Sequence, residues 1–149
     1  MKKLLFFLSA AVVFLSACSK DDDTPPCTLN ASSFAGTYKI TAATYQEDST
    51  APVEDDFATW DACEKDDVYT FNSNGSFSFS EGATQCDPPT DPVSGTWTLS
   101  GSVVTINVTI AGQNIPLPLS IENFNCSSFK IRDVDSSTGE ISVSTFTKQ

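Results

Sequence analysis

From Gly36 onward the chain alternates apolar and hydroxyl-bearing residues in short runs separated by turn formers, the period-two signature of half-buried antiparallel strands. Eight such runs are legible. The first, 36 to 45, sets Tyr38, Ile40 and Ala42 on one face against Thr37, Lys39 and Thr41. The second and third, about 67 to 72 and 76 to 81, meet around Asn74-Gly75, a strong hairpin signal, and place Tyr69 and Phe71 beside Phe77 and Phe79. The fourth, 95 to 100, turns Trp97 and Leu99 inward, and Gly101 leads into the fifth, 103 to 110, with Val104, Ile106 and Val108 inward. The sixth, 115 to 123, shows Ile115, Leu117, Leu119 and Ile121 on one face. Pro116 and Pro118 point the other way and lack donors, so its start is expected to be an unpaired edge or bulge. The seventh, 128 to 134, and eighth, 139 to 148, contribute Phe129, Ile131, Ile141 and Val143, joined through the turn formers of 135 to 139.

Serine and threonine dominate the outward positions, which predicts a sheet with one wet and one dry face. A lipid-facing barrel is excluded, because it would carry apolar residues outside. The pattern predicts an all-β fold of eight short antiparallel strands, a single sheet that could close into a barrel. The irregular stretch 46 to 66 is acidic and contains Pro52, Phe57 and Trp60, and a short helix around Glu54 to Cys63 is expected to plug one end. An eight-stranded barrel is just wide enough to be filled by side chains or to hold one small ligand. Tyr38, Tyr69, Phe71, Phe77, Phe79, Trp97 and Phe129 are large enough to pack most of the interior; if a cavity exists, they line it.

Upstream of the barrel the pattern changes. Lys2 and Lys3 form a basic start, Leu4 to Leu15 is an apolar run too short to span a bilayer, and Leu15-Ser16-Ala17-Cys18 closes it. That tetrapeptide resembles the lipobox of bacterial lipoproteins, which implies removal of residues 1 to 17 as a signal peptide and acylation of Cys18. Each acyl chain would contribute roughly 0.8 kcal/mol per buried methylene, so several chains anchor durably. Residues 18 to 33 are polar, charged and proline-bearing, the composition of a flexible tether. Lys20-Asp21-Asp22-Asp23 resembles the acidic signal that sends lipoproteins to the outer face of the outer membrane, which makes the expected location lipid-anchored and cell-surface exposed.

After such processing six basic residues face 19 acidic ones, and 6 minus 19 gives a net charge of −13. Nucleic acid is thereby excluded as a partner, and an anionic membrane face would repel the folded domain. Contact with a membrane is expected through the Cys18 lipid alone. With Cys18 acylated, Cys27, Cys63, Cys86 and Cys126 remain, an even set suited to two disulfides outside the cytoplasm. Of three connectivities, Cys63 with Cys86 and Cys27 with Cys126 is the expected one. The first pair flanks a hairpin; the second ties both ends of the barrel. A zinc site would need closer cysteine or histidine spacings than these.

The chain contains no histidine, so the usual Ser-His-Asp and Cys-His arrangements and imidazole metal ligands are unavailable. Carboxylate pairs could run glycoside hydrolysis, but the acids cluster in one loop and the tether, so no enzyme and no cofactor is expected. Glu54-Asp55-Asp56, Asp61, Glu64, Asp66 and Asp67 could offer oxygens to calcium, yet no Asp-x-Asp-x-Asp-Gly loop orders them and such runs are commonly solvated surface. Asp48-Ser49-Thr50 resembles a bacterial O-glycosylation acceptor, on three residues only.

Gly36-Thr37-Tyr38-Lys39-Ile40, the run from Cys63 through Tyr69-Thr70-Phe71 to Asn74-Gly75-Ser76-Phe77, then Cys86 and Gly95-Thr96-Trp97-Thr98-Leu99 carry a family likeness. They resemble the lipocalin-like domains of anchored bacterial lipoproteins, over about Phe34 to Gln149. True lipocalins begin strand A with Gly-x-Trp; here that place is held by Gly36-Thr37-Tyr38, and Gly-x-Trp falls at Trp97. The resemblance implies an eight-stranded up-and-down barrel of largely unassigned role. The barrel count and the aromatic inward face lead to two expected functions: binding of a small hydrophobic ligand inside the barrel, or a filled barrel that recognises a protein or glycan or serves as an accessory subunit of an outer-membrane assembly, with an exposed apolar patch near Trp60.

Overall fold

In the computed structural model the described residues are 27–149, apart from Thr90 and Ala111. The signal segment, Cys18 and the acidic run after it lie outside them. The strands are β1 Gly36–Gln46, β2 Glu54–Asp55, β3 Val68–Phe71, β4 Ser76–Ser80, β5 Val93–Ser100, β6 Val103–Ile110, β7 Gln113–Glu122, β8 Ser128–Val134 and β9 Ile141–Lys148. From β3 to β9 each pairs antiparallel with the next; β9 then pairs with β1 from Tyr38 to Gln46, and the start of β1 pairs with β3. The result is a closed eight-stranded barrel, with β2 an extra two-residue strand laid on β1 at Thr44 and Tyr45.

Inward and outward positions follow the alternation with two corrections. The register between β1 and β9 slips between Ile40 and Ala42, so Thr41 is an extra residue and the parity of β1 flips behind it. Ala43, not Ala42, is therefore the buried residue. In β9, Phe146 stands opposite both Ile40 and Phe129 and is the residue that joins the core. Ile141 and Val143 have the opposite parity; Ile141 is buried all the same, outside the central cluster, while Val143 is only half-buried. Apolar residues occur at both parities in Ile141-Ser142-Val143-Ser144-Thr145-Phe146, and pairing to Ile40 and Phe129 selects the even one.

One end of the barrel is sealed. A single-turn helix, α1 (Ala31–Phe34), is capped by Asn30, whose Oδ1 accepts from the Ser33 N–H at 3.0 Å while Ser33 Oγ accepts from the Asn30 N–H at 3.1 Å. It delivers Phe34, completely buried, into the barrel end among Tyr38, Phe71, Trp97 and Phe129, with ring centroids 4.9 to 5.9 Å away. The disulfide Cys27–Cys126 (Cα atoms 5.7 Å apart) fixes the chain to the β7–β8 connection at the same end. Residues 27 to 33, expected to be tether, are thus held against the barrel. The buried Phe34 and the disulfide together hold this polar stretch in place.

The β7 prolines lie where their missing donors matter least. Ile121 N–H donates to the Ser102 carbonyl at 2.7 Å, so odd-numbered residues of β7 bond toward β6 and even-numbered ones toward β8. β7 pairs with β8 only at Ile121 and Glu122, and Pro116 and Pro118 fall on the part of that edge that pairs with nothing. A seam therefore opens in the wall between β7 and β8.

The short helix expected in the 46–66 loop forms, but later than the stretch around Glu54 to Cys63. That stretch divides into β2, a 3₁₀ turn at Phe57–Thr59 and a short helix α2 (Ala62–Lys65). Two local bonds set the break: Trp60 Nε1 donates to Asp56 Oδ2 at 3.0 Å, and Asp61 N donates to Glu64 Oε2 at 2.8 Å, which starts α2 only after Asp61. Among the described residues no helix is long and apolar enough to cross a membrane.

Candidate functional site: a hollow half-barrel with an acidic mouth

The interior is filled near α1 and hollow toward the other end. Tyr38, Trp97 and Phe129 belong to the packed half, where the Tyr38 hydroxyl donates to the Phe34 carbonyl and Trp97 Nε1 to the Asn72 carbonyl, at 2.6 and 2.9 Å. The hydrogen bonds satisfy the only polar atoms these rings bring in. Burial pushes the Tyr38 hydroxyl up to about 12, so it remains a neutral donor.

Tyr69, Phe71, Phe77 and Phe79 stand differently: they line a cavity of about 290 Å³. Ile106, Val108, Leu117, Leu119 and Ile131, inward positions of the alternation, complete its wall together with Val93, Ile110 and Phe146. Val93 and Ile110 lie at strand ends, where periodicity is weakest; Phe146 was hidden by the mixed parity of β9. The lining is entirely apolar. Ile110, at the open end of β6, is 56% exposed, and Leu117, mid-strand beside the unpaired edge of β7, is 43% exposed, so solvent reaches the cavity. The seven aromatic candidates therefore split into four cavity residues and three that pack the opposite end.

Above the cavity sits a second hollow of about 460 Å³, lined by Trp60, Asp61, Glu64, Asp67, Asp87 and the disulfide Cys63–Cys86. Tyr69 and Phe79 line both, their rings 5.2 Å apart, so the two spaces share a wall. The disulfide joins α2 to the β4–β5 connection, Cα atoms 5.2 Å apart, and holds this rim together. Trp60, where an exposed apolar patch was expected, is half-buried against Phe57 and the core, its indole N–H occupied by Asp56.

Electrostatics at the mouth are one-sided. Asp67 Oδ1 is buried and has no hydrogen-bond partner among the described residues. Burial first, and then the charges of Glu81, Asp66 and Glu64, push the Asp67 carboxyl up to about 6, against the pull of Lys39. The neighbouring Asp66 goes the other way, its Oδ2 accepting the Thr84 and Ala83 N–H groups. Burial and the Asp67 charge together raise the Tyr69 hydroxyl to about 12. No group of three or more His, Cys, Asp or Glu among the described residues is placed to hold a metal ion. The arrangement offers an apolar volume and a negative rim.

A family model described as a lipocalin-like domain matches residues 34–147. No curated protein sequence is significantly similar. Among solved structures, a lipocalin-like protein from Bacteroides uniformis superposes with a TM-score of 0.50 at 17% identity, covering 78% of this chain and 99% of that one. An uncharacterized protein from Bacteroides eggerthii superposes at 0.47 with 11% identity, over 77% and 98% of the two chains. At these identities the likeness to the first is one of fold.

Proposed function

Because the chain belongs to the lipocalin-like domain family, whose barrels in general bind and do not catalyse, we propose that it is a surface-anchored lipoprotein that holds a small hydrophobic ligand in the open half of its barrel. One observation carries the ligand: an all-apolar cavity of about 290 Å³, open at its rim, in a fold whose other half is packed solid. Apolar walls facing water are unfavourable by about 25 cal/mol per Å², and an apolar guest removes that cost. The hollow also disfavours the interaction-module alternative, which expects a filled barrel.

Anchoring rests on Leu15-Ser16-Ala17-Cys18 and on where the chain enters the barrel. Cys27 is fixed at the sealed end, and the nine residues from Cys18 to Cys27 reach roughly 30 Å at full extension. An acyl group on Cys18 therefore sets the sealed end toward the bilayer and the mouth toward the medium. Lys20-Asp21-Asp22-Asp23 supports placement on the outer face of an outer membrane.

Titration of the full chain carrying Cys18→Ala, which keeps it free of acyl chains, with the neutral probe N-phenyl-1-naphthylamine tests the ligand. Saturable fluorescence enhancement is expected, weakened at least about tenfold by Leu119→Trp, which fills the cavity from its half-buried wall. Absence of enhancement overturns the reading. Labelled palmitate should enter the wild-type protein and not Cys18→Ala, and protease treatment of intact cells should remove the domain.

A further inference from the structure

The wall around the cavity is not equally complete on every side. β7 and β8 share only the pairs Ile121 with Ile131 and Glu122 with Lys130, after which the ladder stops, and Pro116 and Pro118 lack the donors that would close it. Each lip is nevertheless held from behind, β7 by β6 from Gln113 to Ser120 and β8 by β9 along its whole length. The gap is therefore a built seam between two supported strands and not a frayed edge.

Exposure shows that the seam reaches the cavity. Leu117 lines the cavity and is 43% exposed, whereas Ile106, its partner in register on β6, lines the same cavity and is 6% exposed. At that level the wall is dry toward β6 and wet toward β8. Continued past Ile121 and Ile131, the register would bring Asp133 opposite Leu119. Asp133 shares the inward parity of Phe129 and Ile131 yet is exposed, whereas a closed wall would desolvate its carboxylate. In strand order β4, β5, β6 and β7 separate the seam from the junction of β3 and β4 on one side, and β8, β9, β1 and β3 on the other. The seam thus lies across the barrel from the acidic hollow above Tyr69 and Phe79.

Resting on the apolar-ligand reading above, we infer that the cavity opens sideways: a guest longer than the cavity lies with its apolar end between Phe71, Phe77 and Leu119 and carries its polar end out between β7 and β8. The volume requires an exit for any sizeable guest, since about 290 Å³ is at the small end of the roughly 300 to 1,000 Å³ of pockets that enclose a whole ligand. The two ways out differ in chemistry. A chain crossing the seam meets Leu117, Leu119 and Ile131, all apolar and all lining the cavity. One leaving on the side of β3 and β4 passes Glu64, Asp67 and Asp87 and strips water from them. The class of ligand that fits is an amphiphile with a single alkyl chain, gripped by its tail and left with its head in solvent on the outer face of β7 and β8.

Photo-crosslinking of the full Cys18→Ala chain with decyl maltoside carrying a diazirine on its sugar, below its micelle concentration, locates the head, and displacement of N-phenyl-1-naphthylamine shows that the tail is seated. Labelled peptides should come from 113–120 and 128–135 at least about tenfold in excess over 54–67 and 81–92, because a head tethered at the seam has a millimolar local concentration there. Leu119→Trp, which fills the cavity, should abolish the excess. Labels concentrated on 54–67 or 81–92, or spread evenly over both sides, overturn the side opening and leave the apolar cavity reading intact. Labelling of the seam that survives Leu119→Trp also overturns it, since the head would then sit there without its tail inside. A maltoside that cannot displace bound naphthylamine overturns the amphiphile alone; failure of the naphthylamine itself to bind overturns both readings.

Discussion

Tyr38 and Phe34 close the barrel end as a pair: the Tyr38 hydroxyl donates to the Phe34 carbonyl at 2.6 Å, while their rings stack with centroids 5.9 Å apart. The carbonyl belongs to the last residue of a single-turn helix, where no helical donor is available. Lys148 secures the same plug from β9, its Nζ donating to the Ser33 carbonyl at 3.1 Å.

Tyr38→Phe should therefore destabilise the fold by about 1 to 3 kcal/mol, since it leaves a buried acceptor unpaired while keeping the ring. Phe34→Ala, which empties the centre of the plug, should cost more, about 3 to 5 kcal/mol. Urea titration checks both. A Tyr38→Phe midpoint equal to wild type would mean that the hydroxyl holds nothing in place.

The two disulfides should separate in size and in effect. Cys27–Cys126 closes 99 residues and Cys63–Cys86 closes 23, so chain-entropy arguments give about 5 and about 3 kcal/mol respectively. Ser replacements of the first pair should lower the unfolding midpoint further. Replacements of the second should act on the mouth, weakening probe affinity, because only that pair lines the hollow above the cavity. Equal loss of affinity in both variants would contradict this division of labour.

Pro116 and Pro118 protect an edge. Substituting Thr at both restores N–H groups on the side of β7 that β8 leaves unpaired, and an unpaired edge with free donors recruits another chain. Concentration-dependent association in sedimentation velocity is the expected outcome. A double variant that stays monomeric at all concentrations would show the seam to be inaccessible.

How much of this was legible in the sequence depends on what each feature rests upon. β6 and β8 match their expected limits residue for residue, because strict alternation in Val103–Ile110 and Ser128–Val134 leaves one register that buries the apolar face. The proline edge was legible too, since a missing donor has the same consequence in any sheet. Thr41 was not: nothing in Tyr38-Lys39-Ile40-Thr41-Ala42-Ala43 marks the bulge, which comes from matching β1 to β9 around a closed circumference. α1 escaped because four residues cannot show helical periodicity. Phe34, the centre of the plug, stands alone among polar neighbours and announces itself only in three dimensions. The division of the aromatics into plug and cavity lining is likewise a matter of height along the barrel axis, which period two does not encode.

Asp67 gives the mouth a pH dependence whose sign is opposite to that of most carboxylates. In the fold it is pushed up to about 6 from an ordinary 3.8, by burial first and then by Glu81, Asp66 and Glu64, with Lys39 opposing. Between about pH 4 and 6 the folded protein therefore holds a proton that the unfolded chain has released, and stability falls as pH rises through this window. Asp48 and Asp135, held low by Thr50 and Ser137 and by backbone N–H groups, act in the opposite sense, stabilising at neutral pH and losing that contribution only at more acid pH. The windows do not overlap. Asp67→Asn should accordingly stabilise the protein at pH 7 by roughly 1 to 2 kcal/mol, the shift being discounted for the partial exposure of the side chain, with a gain that fades toward pH 4. Denaturation of wild type and Asp67→Asn across pH 3.5 to 8 measures the difference curve; a gain that is flat with pH would place the effect in packing and not in the proton.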